Sequence, residues 1–105
     1  MAQFDVYLNP NKASRIRIPY LVDLQSNLLE GMNNIVIAPL RRRDSDTGIP
    51  TLRLNPLVTV EDVPCFVRVQ ELAAIPRRSL GQPVGNLAQE RDALLAALDL
   101  LFTGF

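Results

Sequence analysis

Proline is the residue that most constrains this chain. Eight prolines (Pro10, Pro19, Pro39, Pro50, Pro56, Pro64, Pro76 and Pro83) recur about every ten residues and then cease. Proline donates no backbone hydrogen bond and breaks helices, so this rhythm disfavours a long helix before Pro83 and suits short strands joined by turns. Phe4, Val6 and Leu8 alternate with Gln3, Asp5 and Tyr7, the period of a half-buried strand, and Asn9-Pro10-Asn11 reads as the turn after it. Ile16 and Ile18 alternate with Arg15 and Arg17, and Tyr20-Leu21-Val22 continues in extended form. Ile35-Val36-Ile37 is a short β-branched run. Leu57–Val60, a turn at Glu61-Asp62, and Cys65–Val69 predict a hairpin, and Ala73–Pro76 is a weaker extended segment.

Beyond Pro83 the period changes to that of a helix. Asn86 stands in capping-box spacing to Gln89, and Glu90 and Asp92 place negative charge where the helix dipole favours it. From Ala93 to Phe102 only Asp99 interrupts the apolar residues, and Gly104 is a stop signal. A surface helix normally keeps one polar face, so burial is expected nearly all round, and sharing the helix with a second copy of the chain supplies it. The end also lacks the Lys or Arg that a helix C-terminus favours. An apolar, dipole-mismatched tail is a poor device for stability and a reasonable one for binding.

Composition removes several function classes. The 105 residues fit one domain, residues 1–105, and with 48% hydrophobic residues the chain has enough apolar surface to fold. Eleven basic residues balance eleven acidic ones, so the net charge gives no footprint for binding free nucleic acid. There is no histidine and one cysteine, Cys65, which argues against zinc and against most hydrolytic constellations, and no other metal or cofactor is expected. No signal peptide precedes Phe4, and no apolar run has the length of a membrane span, so a soluble cytoplasmic protein is expected. Arg41-Arg42-Arg43 is followed at once by Asp44 and Asp46, with Gly48 and Pro50 nearby, and reads as a solvated loop. Cys65 reads as a small buried hydrophobe.

Several segments in order resemble one family. Gln3–Tyr7 followed by Leu21-Val22-Asp23-Leu24-Gln25-Ser26 is similar to the opening of the CcdB toxins. Val36-Ile37-Ala38-Pro39-Leu40 resembles their V-I-P-L strand with Ala38 inserted, Ala73–Pro76 their A-S-V-P turn, and Leu87–Phe105 their closing helix and tail. The resemblance implies a mainly β (α+β) fold: an SH3-like antiparallel barrel with a small additional sheet, one long C-terminal α-helix and a symmetric homodimer. It implies a non-enzymatic toxin of a type II toxin–antitoxin system, of the kind that serves plasmid maintenance. Such toxins bind the DNA gyrase A subunit and trap the gyrase–DNA cleavage complex. A CcdA-type antitoxin neutralises them.

Carried over by position, the resemblance implies gyrase contacts at Asp99, Thr103, Gly104 and Phe105, with an apolar pair at Leu28 and Leu29. It places Leu98 and Phe102 in the dimer interface. Thr103 stands where the best-known member has a bulky aromatic, Phe105 replaces an aliphatic, and Asp99 replaces an amide. An inactive CcdB-like binding module is therefore one alternative. A ribonuclease toxin of the MazF and Kid type is another, since that barrel is similar and fold alone does not fix function. Its acid–base set would come from residues such as Arg53, Arg68 and Glu71.

Overall fold

The computed structural model describes residues 2–45 and 53–104. Seven antiparallel strands appear in them: β1 (Asp5–Leu8), β2 (Tyr20–Asp23), β3 (Asn34–Arg42), β4 (Leu57–Val60), β5 (Val63–Val67), β6 (Ala73–Pro76) and β7 (Gly85–Asn86). One α-helix, α1 (Arg91–Thr103), closes the order. The strands run β4-β5-β3-β2-β1-β7 across the sheet. The two ends of that path approach each other: a Cβ built on Gly85 of β7 would lie 3.8 Å from Val60 Cγ1 of β4. The result is a nearly closed barrel with a helix packed against its interior, as the resemblance implies.

β3 organises the molecule because it changes partner midway. Its first half pairs with β6, Asn34 through Ile37 facing Pro76 through Ala73, and its second half pairs with β5 from Leu40 to Arg42. The small additional sheet is thus β6 laid on a strand it shares with the barrel. Pro39 is tolerated in this central strand because it sits where β6 has ended and β5 has not begun. Its carbonyl still accepts from Arg68 N at 2.9 Å.

Two hydrophobic clusters lie on opposite faces of the same strands. Phe4, Val6, Val22, Leu40, Val58, Cys65, Val67 and Leu94 belong to the interior cluster, which Ala97 of α1 completes. Tyr7, Leu21, Ile35, Ile37 and Leu80 form the second, with Ile18 and Ile75 packed against it. Covering both faces explains why all four residues of β2 are buried. It also explains why Tyr7, which the alternation assigned to the polar face, is fully buried while Leu8 is 44% exposed.

Three local expectations are corrected. Ile16 and Arg17 end a run of turns over residues 12–17, and Ile18 is not in a strand, because Asn9 and Asn11 side chains capture the backbone locally. Asn9 Nδ2 donates to Ser14 Oγ and Ile18 O, and Asn11 Oδ1 accepts from Ala13 N. Arg41 and Arg42 belong to β3, paired with Phe66 and Cys65, rather than to a solvated loop. The companion residues Asp46, Gly48 and Pro50 lie outside the described residues. Asn86 Oδ1 accepts from Ala88 N at 2.7 Å ahead of a short 3-10 turn, Ala88–Glu90, and α1 begins only at Arg91 with no side-chain cap. The predicted hairpin turn is present, with Glu61 and Asp62 at φ 50 and 64, the twist that two-residue hairpins favour.

Candidate functional site

The free end of α1 is built by anchoring its other half. Leu94 and Ala97 are fully buried, and Leu95, Leu98 and Leu101 are half-buried against the same cluster. One face of the helix is therefore satisfied by its own barrel, and burial all round is not needed. Asp99, Phe102, Thr103 and Gly104 are exposed, Phe102 to 69%. Gly104 takes φ 81 and donates its N–H to Leu100 O at 3.1 Å, a left-handed stop that glycine adopts without strain. Thr103 Oγ1 donates to Asp99 O at 2.6 Å, which fixes the last turn while the Asp99 carboxyl lies on the exposed face. Phe105 lies outside the described residues.

Leu28 and Leu29 sit on a short 3-10 turn, Asn27–Leu29, between β2 and β3. Leu28 is 93% exposed and Leu29 45%. Ser26 Oγ accepts from Leu28 N, and Asn27 Oδ1 accepts from Gln3 N at 2.6 Å, so the turn is tied down rather than its leucines.

Leu98 and Phe102, implied together as interface residues, differ in setting: Leu98 leans on its own barrel and Phe102 projects from it. Of the residues considered for ribonuclease chemistry, Arg68 and Glu71 meet one helical turn apart at 3.3 Å, while Arg53 is exposed. Among the described residues no group of three His, Cys, Asp or Glu side chains could hold a metal ion, and no helix is long and apolar enough to cross a membrane.

Buried ionisable groups lie away from the helix end. Burial pushes the Cys65 thiol up to about 11 and, with the Glu61 hydrogen bond at 2.6 Å, the Tyr20 hydroxyl up to about 12. Under the second cluster, burial raises Asp23 and Tyr7, and Asp5 and Asp23 raise Tyr7 further. Asp23 Oδ1 accepts from Gln25 N at 2.8 Å. The Tyr7 hydroxyl is buried with no hydrogen-bond partner among the described residues.

One feature escaped the sequence. A groove of about 740 Å³ runs between Glu30–Asn33 and Arg77–Pro83. Arg77 joins the two segments, donating from N to Asn33 O and from Nε to Met32 O, a contact spanning 45 residues of sequence. No local pattern marks two walls so far apart; the pair Arg77-Arg78 is the one visible hint.

The barrel with its C-terminal helix is similar in fold to two solved proteins. Toxin MazF-mt6 of Mycobacterium tuberculosis superposes with a TM-score of 0.66 at 22% identity, over 79% of this chain and 84% of that one. A second solved structure, described as an Mtb toxin, gives a TM-score of 0.65 at 23% identity over 79% and 91%. The chain belongs to the CcdB family: the family model, described as CcdB protein, matches residues 3–104. The CcdB family comprises toxins of toxin–antitoxin pairs.

Proposed function

We propose that this protein is a gyrase poison that acts without catalysis, by inserting the end of α1 into the gyrase A subunit and trapping the cleaved gyrase–DNA complex. The observation that carries the reading is the division of α1. Leu94 and Ala97 root the helix in the barrel, and Asp99, Thr103 and Gly104 project from it. A rigid stem presenting a few side chains loses little conformational entropy on docking, and an aromatic ring is a typical binding anchor. Thr103 and Gly104 are small enough to admit close backbone approach, Phe105 adds a ring, and Asp99 supplies an acceptor for partner N–H groups. Leu28 and Leu29 form a second apolar contact. Two chains associate through the outer face of α1, with Phe102 at the contact and Leu98 beneath it, so each dimer offers two tails. A CcdA-type antitoxin neutralises the protein by covering these surfaces. The protein works in the cytoplasm, where gyrase is.

The test is induced expression in a gyrase-sensitive bacterium, with and without a resistant gyrase A subunit, alongside a plasmid cleavage assay with purified gyrase. Killing relieved by the resistant subunit, and plasmid linearised only when gyrase is present, are the expected results. Removal of Gly104 and Phe105 abolishes both and leaves the fold intact. RNA cleavage with no gyrase present would favour the ribonuclease reading that the MazF-like fold allows, and unimpaired trapping by the truncated chain would remove the helix end from the mechanism.

A further inference from the structure

We infer that Asn27 and Asn86, joined through the backbone of Gln3, are positioning residues that hold the Leu28-Leu29 turn and the root of α1 at a fixed spacing. The inference rests on the gyrase reading above and assigns residues that reading does not use. The turn Asn27–Leu29 has no buried residue, and Leu28 is 93% exposed, so apolar packing does not place it. Hydrogen bonds must do so. Ser26 Oγ accepts from Leu28 N at 3.2 Å and Gln25 Nε2 donates to Leu29 O at 3.4 Å, both within the same stretch of chain. The bond that ties the turn to the N-terminal segment is shorter than either: Asn27 Oδ1 accepts from Gln3 N at 2.6 Å.

Gln3 extends that tie to the helix. Its carbonyl accepts from Asn86 Nδ2 at 3.3 Å, and the same nitrogen donates to Asp5 Oδ1 at 2.9 Å. The other end of the Asn86 amide accepts from Ala88 N at 2.7 Å, in the 3-10 turn that leads directly into α1. Gln3 therefore bridges segments 24 residues away on one side and 83 on the other. Phe4 makes a parallel bridge through its backbone, donating to Asp23 O at 2.7 Å and accepting from Leu87 N at 2.9 Å. It does so at φ 70, a conformation that a non-glycine residue keeps only where its surroundings over-determine it, and such strain gathers at functional sites. Two contact patches that meet one rigid partner must match its spacing, and any freedom between them is lost on docking. A contact carried on a turn is precise only when the bonds behind it hold it still. Asn27 and Asn86 are both exposed, so replacing them leaves the core untouched.

The experiment uses the full chain and purified gyrase A subunit, with calorimetric titration for affinity and ¹⁵N relaxation of the free chain for order in the turn. Thermal melts identify any variant that fails to fold. Asn27→Ala removes the acceptor and should weaken binding about three- to tenfold, the cost of ordering a loosened contact. Asn27→Asp keeps an acceptor oxygen and restores most of that loss. Asn86→Asp keeps the acceptor for Ala88 N but loses the donor to Gln3 O; it should weaken binding as well. It should also increase motion at the Leu28 and Leu29 amides, with which Asn86 shares no hydrogen bond among the described residues. The Asn27→Ala, Asn86→Asp double variant should lose little more than either single one, since both cut the same bridge. Melting should stay near that of the parent, because exposed hydrogen bonds add little to stability. A parent chain that does not bind the A subunit overturns the gyrase reading and this role with it. A parent that binds, with either single variant binding as tightly, overturns the role alone. So do Asn27→Asp losing as much as Asn27→Ala, additive losses in the double variant, or an unchanged turn in Asn86→Asp.

Discussion

Single residues in this fold are strained where two faces of a sheet are both covered. Tyr7 lies in a strand that alternation reads as half-exposed, yet it is fully buried and its hydroxyl has no partner among the described residues. Leaving such a group unsatisfied costs about 1–3 kcal/mol, so Tyr7→Phe should be neutral or stabilising by about 1 kcal/mol in urea denaturation. A clear loss of stability would mean that the hydroxyl does bond in solution. Asp23 is buried beside it, and burial raises its carboxyl above the ordinary 3.8. The sign follows: below the ordinary value both folded and unfolded states hold the proton and Asp23 carries no penalty. As pH rises through the raised folded value, the buried carboxylate must ionise, and stability is lost. Asp23→Asn should therefore be more stable than the parent at neutral pH, with the gap closing on acidification through that window. A gap that stays constant with pH in denaturation curves would assign the difference to packing instead. Phe4 is strained differently, held at φ 70 with its ring buried, its N–H bonded to Asp23 O at 2.7 Å and its carbonyl accepting from Leu87 N. Those bonds and that ring hold a non-glycine residue in a conformation that ordinarily costs about 1–2 kcal/mol.

At the scale of elements, β3 and α1 carry the architecture. β3 serves the barrel and β6 at once, and Pro39 marks the change of partner. The outer edge of β6 is blunted as well: Arg77 N bonds to Asn33 O, so by alternation Ala74 and Pro76 face outward, and Pro76 has no N–H to offer another strand. The helix depends on a few contacts, since it has no side-chain cap and no basic residue in its last turn. Leu94 is its deepest anchor. Leu94→Ala should cost about 2–5 kcal/mol in chemical denaturation, with amide exchange along α1 accelerating more than in the strands. A loss confined to global stability, with α1 protected as before, would show that the helix is held mainly by Ala97 and its half-buried leucines.

For the whole molecule, association turns on what the barrel leaves uncovered. The barrel covers one face of α1, leaving a narrower apolar surface than the sequence alone suggests. The proposed dimer therefore rests on Phe102 more than on Leu98, whose replacement would also disturb the chain's own core. Phe102→Glu should convert a dimer to a monomer in sedimentation velocity with little change in melting of the monomer fold. A dimer that survives the charge places the interface elsewhere. Leu98→Ala should lower stability as well as association, which separates the two roles.

Much of this was written locally. The proline rhythm, the turn at Glu61-Asp62 and the apolar run after Pro83 determine short antiparallel strands followed by one helix, because each rests on backbone chemistry or on periodicity within a few residues. The family signature is likewise a matter of ordered short segments. Tertiary structure decided what local pattern cannot reach. It turned Ile16–Ile18 away from strand through the side chains of Asn9 and Asn11, and buried both faces of β2. It carried Arg41 and Arg42 into β3, and brought Met32 against Arg77 to make a groove. Burial and partnership are properties of chain segments far apart in sequence, and only closure of the barrel brings those segments together.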